Sequence, residues 1–231
     1  MKVILFGATG MVGQGALREC LLDPGVEKVL AVGRRGTGQS HEKLREVVHR
    51  DFLDFSAIER ELAGYDACLF ALGVSSAGMS EPDYVRVTYD VTMAAAGAIL
   101  RNNPALTFVF VSGASTDSTE KGRLMWARVK GRTENALLRM PFKGAYMFRP
   151  GYIQPRHGIV SSTKLLRVMY AVVGPLYPVW KALFPDRVTT TEVLGRAMVR
   201  VARDGYSKRV LENRDINVAG GAPSSADAAR P

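Results

Sequence analysis

The chain has 231 residues, 47% of them hydrophobic, enough for one α/β domain with a substantial core. Its formal charge of +9 raises nucleic acid as a partner, yet the basic residues are scattered and no nucleic-acid motif gathers them, so that class is set aside. Cys20 and Cys68 and the three histidines (His41, His49, His157) lack metal-ligand spacing, so no metal site is expected and both thiols read as buried and reduced.

The amino-terminal run Lys2-Val3-Ile4-Leu5-Phe6-Gly7-Ala8-Thr9-Gly10-Met11-Val12-Gly13 predicts a strand that turns through glycines into a helix. Four consecutive apolar residues, Val3 to Phe6, suit a strand covered on both faces. Gly7 can turn with positive φ, Gly10 removes a side chain where a pyrophosphate must approach, and Gly13 allows close helix packing. Free N–H groups at the helix start then face the phosphate charge, which makes Thr9, Met11 and Val12 further candidate contacts. Because the first strand begins at once, no signal peptide is expected, and a cytoplasmic protein is predicted.

A second strand, Lys28 to Val32, leads into Gly33-Arg34-Arg35. An NAD-preferring site usually places an acidic residue near this strand end, and none stands there. Two guanidinium groups suit a 2′-phosphate, so NADP is favoured over NAD. Further strands are predicted at Leu44–Val48, Ala67–Leu72, Leu106–Val111 and Ala145–Phe148, alternating with helices at 57–62, 83–100 and 124–138. Gly97 is read as a point of tight packing within its helix. This alternation predicts an α/β fold with a doubly wound parallel sheet.

Beyond Arg149-Pro150-Gly151 the pattern loosens. Residues 152–210 are read as a small C-terminal substrate-side cap within one domain, 1–218, followed by a flexible tail, 219–231. Thr190 is predicted to cap a helix running to about Arg203, and Val210–Leu211 to pair with Ile216–Val218. Val168 to Trp180 carries no charge but is shorter than the roughly twenty residues of a membrane span, so a lid, a dimer surface or a shallow membrane contact is expected instead. The apolar residues Leu165, Leu166, Met169, Tyr170, Val173, Tyr177, Trp180 and Phe184 suggest a hydrophobic substrate.

Five pieces in order carry a family resemblance over residues 1–218: the Gly7–Gly13 turn, Arg50-Asp51-Phe52, Leu72-Gly73-Val74, Ser112-Gly113-Ala114-Ser115, and Trp126-Ala127-Arg128-Val129-Lys130. The chain resembles the atypical and extended short-chain dehydrogenases/reductases, close to their epimerase-like or TIP30-like members. That resemblance implies a Rossmann fold. It implies that Asp51 and Phe52 sit beside the adenine, that Leu72, Gly73 and Val74 line the nicotinamide-side ribose, and that Pro150 stiffens a loop near the carboxamide. It also makes a homodimer through the helices at 83–100 and 121–138 an expectation.

The family's signature is a tyrosine, three residues, then a lysine, which places both on one helix face. The lysine binds ribose and lowers the tyrosine pKa, the tyrosine exchanges a proton with substrate, and an upstream serine orients the substrate oxygen. Lys130 and Ser112 fit two of these roles, but Trp126 stands at the tyrosine position and its indole cannot act as acid or base. Two readings therefore stay open. One is an altered reductase whose proton comes from Tyr84, Tyr89, Tyr152, Ser75, Ser76, Ser115, His157 or an ordered water; the other is a non-catalytic NADP-binding regulatory or scaffold protein.

Overall fold

The computed structural model describes residues 1–160 and 177–221. Strands β1 (Lys2–Phe6), β2 (Lys28–Gly33), β3 (Leu44–Val48), β4 (Ala67–Phe70), β5 (Thr107–Val111), β6 (Gly144–Arg149) and, late in the chain, β9 (Val210–Glu212) form one sheet. Its order is β3-β2-β1-β4-β5-β6-β9, and every pairing is parallel. The order reverses between β1 and β4, which opens a crevice at their carboxyl ends. Two short strands, β7 (Tyr152–Gln154) and β8 (Val188–Thr190), pair separately.

The side-chain alternation of β1 builds both cores. Val3 and Leu5 pack with α1 (Met11–Leu22) and α6 (Thr191–Asp204) through Ala16, Leu17, Leu194 and Met198. Ile4 and Phe6 face the other layer, where Phe52, Phe55, Ile58, Phe70 and Ile99 gather. Each such fully buried aliphatic or aromatic side chain contributes roughly 1.5–3 kcal/mol. A 3₁₀ segment (Ser56–Leu62) and α3 (Val91–Asn102) supply that layer, with Leu137 from α4 (Met125–Arg139). The helix expected at 83–100 forms as α2 (Glu81–Val85), a π-helical turn (Arg86–Asp90) and α3.

Several boundaries and one pairing differ from the sequence expectation. Helix α6, assigned to the substrate-side segment, packs on α1 in the main helical layer. Gly15 and Gly195 make that approach feasible, since a Cβ on Gly195 would lie 2.7 Å from the Gly15 carbonyl oxygen. Thr190 does cap α6, accepting the Val193 N–H at 3.0 Å. Val210–Glu212 does not pair with 216–218. It adds to β6, while Glu212 and Asp215 form a capping box that starts helix α7 (Asn213–Ala219). Gly97 is not a packing point, because a Cβ there would meet only the Arg101 guanidinium at 3.7 Å. Helix α5 (Tyr177–Leu183) precedes β8. Of the apolar residues expected around a substrate, Leu165, Leu166, Met169, Tyr170 and Val173 lie outside the described residues, as do 222–231 of the tail. Among the described residues no helix is long and apolar enough to cross a membrane.

Candidate functional site

The crevice begins where β1 ends. Gly7 has φ +82°, and a Cβ there would lie 2.6 Å from the Ala71 carbonyl group at the end of β4. A Cβ on Gly13 would overlap the Gly7 carbonyl oxygen, so the first turn of α1 folds directly onto the loop. The Gly10 N–H closes the turn on the Gly7 carbonyl oxygen at 2.9 Å. Gly10 is also the helix N-cap and gives no side-chain hydrogen bond, which leaves the first-turn N–H groups of Met11 and Val12 without a capping side chain.

Around this turn lies a cleft of ≈ 540 Å³. Of the residues expected to hold a cofactor, it brings together Gly7, Thr9, Gly10, Arg34, Arg35, Phe52, Leu72 and Gly73. Val74 is exposed and not in the cleft wall, and the Asp51 carboxylate accepts the Leu53 N–H at 3.0 Å within its own loop. Phe52 is fixed by edge-on packing against Phe6 and Phe55, and His49 pins the same loop by its Nε2, 2.7 Å from the Asp54 carbonyl oxygen.

One wall residue was missed in the sequence. Glu46 on β3 lines the cleft with Arg34 and Arg35, and its Oε1 accepts the Thr37 N–H at 2.6 Å. The expectation of no acidic group near the end of β2 is therefore corrected: the carboxylate arrives from the neighbouring strand. The parallel register, with Glu46 beside Ala31, is the signal that could have found it. The glycine floor, the uncapped helix start and the two guanidinium groups fit a dinucleotide.

A second group forms at the carboxyl ends of β5 and β6. Lys130, one turn after Trp126 on α4, donates from Nζ to the Ser112 carbonyl oxygen. Burial pulls its ammonium down from 10.5 to about 8, and Glu134, one turn further, opposes that. The Ser112 hydroxyl is buried and donates to Glu134 Oε1 at 2.5 Å. Glu134 is fully buried and also accepts from Arg149 Nε at 3.0 Å and from Nη2. Arg149 in turn reaches Ser118 Oγ at 2.6 Å and Glu212 at 3.2 Å. Ser112 thus acts in the described structure as part of a buried charge network. The Pro150 carbonyl oxygen accepts the Ala114 N–H at 2.8 Å, which ties the β6 loop to the Ser112 loop. Ser115, in that same loop, is exposed and held at φ +67°.

The other candidate proton donors are spread out. Tyr84 is buried, Tyr89 lies beneath the Arg132 guanidinium at 4.2 Å, and Ser75 accepts the Ala77 N–H. His157 meets Glu192 at 2.9 Å on an exposed loop. Tyr152, immediately after the β6 loop, donates to Gln154 Oε1 at 2.8 Å, and burial raises its phenol pKa. It also lines an apolar cleft with Trp180, Phe184 and Val188.

Residues 3–121 match the model of the NAD dependent epimerase/dehydratase family. The chain belongs to that family. Among its relatives is Protein FMP52, mitochondrial, of Meyerozyma guilliermondii, 26% identical over 215 residues, covering 84% of this chain and 90% of that one. A second relative, fmp52 of Emericella nidulans, is 26% identical over 205 residues and covers 86% and 85% of the two chains. Both are named mitochondrial, which overturns the cytoplasmic expectation. In fold, this epimerase/dehydratase-family chain is similar to the dTDP-glucose 4,6-dehydratase DesIV of Streptomyces venezuelae, a structure with NAD and TYD bound. The TM-score is 0.67 at 17% identity, with 96% of this chain and 82% of that chain covered. It is likewise similar to a short-chain dehydrogenase/reductase family oxidoreductase of Burkholderia thailandensis, TM-score 0.65 at 15% identity, with 93% and 92% covered. The doubly wound fold and its nicotinamide-dinucleotide family are thus shown.

Proposed function

We propose that this protein is an NADP-dependent oxidoreductase acting on a hydrophobic carbonyl or alcohol compound through an altered active site. The observation that carries the reading is the glycine-floored cleft walled by Arg34 and Arg35; Lys130 is held on the Ser112 carbonyl oxygen after β5, the neighbour of β4, whose following residues Leu72 and Gly73 line that cleft. When bound, the dinucleotide gives or takes a hydride. Lys130 would hold its nicotinamide-side ribose, Arg34 and Arg35 its 2′-phosphate, and Phe52, Leu72 and Gly73 its rings and sugar. Asp51 would act through the loop that carries Phe52, where it accepts the Leu53 N–H.

Trp126 moves no proton. The proton at the substrate oxygen then falls to Tyr152, which follows the Pro150 loop and lines the apolar cleft. Its raised pKa keeps it protonated at neutral pH, the state an acid needs. The helices at 83–100 and 121–138 offer a homodimer surface, and the apolar segment near α5 a peripheral membrane contact.

A panel of carbonyls with NADPH, and of alcohols with NADP, tests the reading by nicotinamide turnover. Turnover that falls at least a hundredfold in both Lys130→Ala and Tyr152→Phe supports it, with Trp126→Tyr raising the rate. A second reading, a non-catalytic NADP-binding regulatory protein, is favoured by Trp126 and by the Ser112 hydroxyl being committed to Glu134. Tight NADP binding with no turnover across the panel would decide for it.

A further inference from the structure

Helix α5 and Phe184, the residue that follows it, present two neighbouring stripes. Trp180 and Phe184, one turn apart and stacked with centroids 5.9 Å apart, line an apolar cleft of ≈ 390 Å³ together with Tyr152 and Val188. Tyr177 and Lys181, also one turn apart, line a second cleft of ≈ 390 Å³ with Arg156, Arg196 and Thr189. Val188 lines both, so the two clefts adjoin across one strand and one helix.

Among the described residues, the second cleft carries uncompensated positive charge. Its carboxylate, Glu192, is taken by Arg196 at 2.5 Å and His157 at 2.9 Å. The Arg156 guanidinium lies 5.2 Å from the Tyr177 ring centroid and has no carboxylate partner among the described residues; Lys181 has none either. Outside the described residues, 161–176 hold no Asp or Glu, and Asp227 in the tail is the one acidic side chain. Thr189 adds a buried hydroxyl with no hydrogen-bond partner among the described residues. Two cations and a spare hydroxyl beside a stacked aromatic wall match a molecule that is apolar along most of its length and anionic at one end.

We infer that the substrate is amphipathic, with an apolar body against Trp180 and Phe184 and a terminal carboxylate or phosphate held by Arg156 and Lys181. This rests on the oxidoreductase reading, whose substrate it narrows. Arg187 also lines the apolar cleft and is the competing cation.

The test is calorimetric titration of the full chain with decanol, decanoate and decyl phosphate, alongside NADPH in the same preparation. At least one anion should bind about tenfold more tightly than decanol, a preference that weakens in high salt. The exposed substitutions Arg156→Gln and Lys181→Gln together should bring it down to the decanol value and leave decanol itself unchanged. Trp180→Ala should weaken all three. The inference is overturned if decanol matches both anions, if the preference survives the double substitution, if it is lost on Arg187→Gln alone, or if none of the three binds. Failure of NADPH to bind would instead overturn the oxidoreductase reading, so the two failures are distinguishable.

Discussion

Removing the Glu134 carboxylate tests whether the buried charge network holds the Ser112–Lys130 end of the site. Glu134 is fully buried and accepts from Ser112 Oγ and Arg149 Nε at 2.5 and 3.0 Å. Glu134→Ala leaves Arg149 in a buried position with Ser118 and with Glu212, whose side chain is half-exposed and 3.2 Å away. Breaking one partner of a buried pair costs about 3–5 kcal/mol. Because Glu212 and Ser118 retain part of the Arg149 interaction, the lower end applies, about 3 kcal/mol. For a chain of this size each kcal/mol lowers Tm by roughly 2–4 °C, so a fall of roughly 6–12 °C is expected. Urea and thermal denaturation of Glu134→Ala, Arg149→Met and the double variant measure it. The double variant should be more stable than the sum of the two losses predicts, since it buries no orphaned charge. A loss below about 1 kcal/mol in Glu134→Ala, or strict additivity in the double variant, would refute the reasoning.

Three further outcomes follow from the same geometry. Lys130 titrates near 8 in the folded chain against 10.5 ordinarily, so between those values the unfolded state keeps a proton the folded state has lost. Stability should therefore rise as pH climbs from about 8 toward 10.5, and Lys130→Met should flatten that rise in urea denaturation series; identical pH profiles would contradict the burial of the ammonium. Glu46→Gln should tighten NADPH and weaken NADH, each by a few-fold, because the carboxylate repels a 2′-phosphate and accepts from a 2′-hydroxyl; unchanged affinities for both would remove Glu46 from the selector. Gly7→Ala should abolish cofactor binding, since φ +82° and the 2.6 Å approach to Ala71 leave no room for a methyl group, and retained binding would refute the tight turn.

The doubly wound sheet was legible because its signals are local. A buried strand, a glycine turn and a helix follow one another at residues 2–22, and apolar runs recur at β2, β4, β5 and β6. The Gly7 turn and the Thr190 cap were readable for the same reason: backbone geometry selects those residue types at those places. What escaped depended on tertiary neighbours. Glu46 enters the cleft only because β3 lies alongside β2. The commitment of Ser112 to Glu134 appears only when α4 lies against β5 and β6. Helix α7 was misread as a strand because the alternation Ile216-Asn217-Val218 is too short to separate the two periods, and the capping pair Glu212–Asp215 that decides it spans a strand end.

Arg34 and Arg35 are the residues proposed to make the Gly7–Gly13 cradle an NADP site. Fluorescence titration of the purified chain with NADPH and NADH, repeated on Arg34→Ala/Arg35→Ala, tests that proposal most directly. NADPH should bind at least tenfold more tightly than NADH, with the double variant erasing the difference by weakening NADPH alone. Equal affinities in the unmodified chain, or a preference that survives loss of both arginines, would contradict the account.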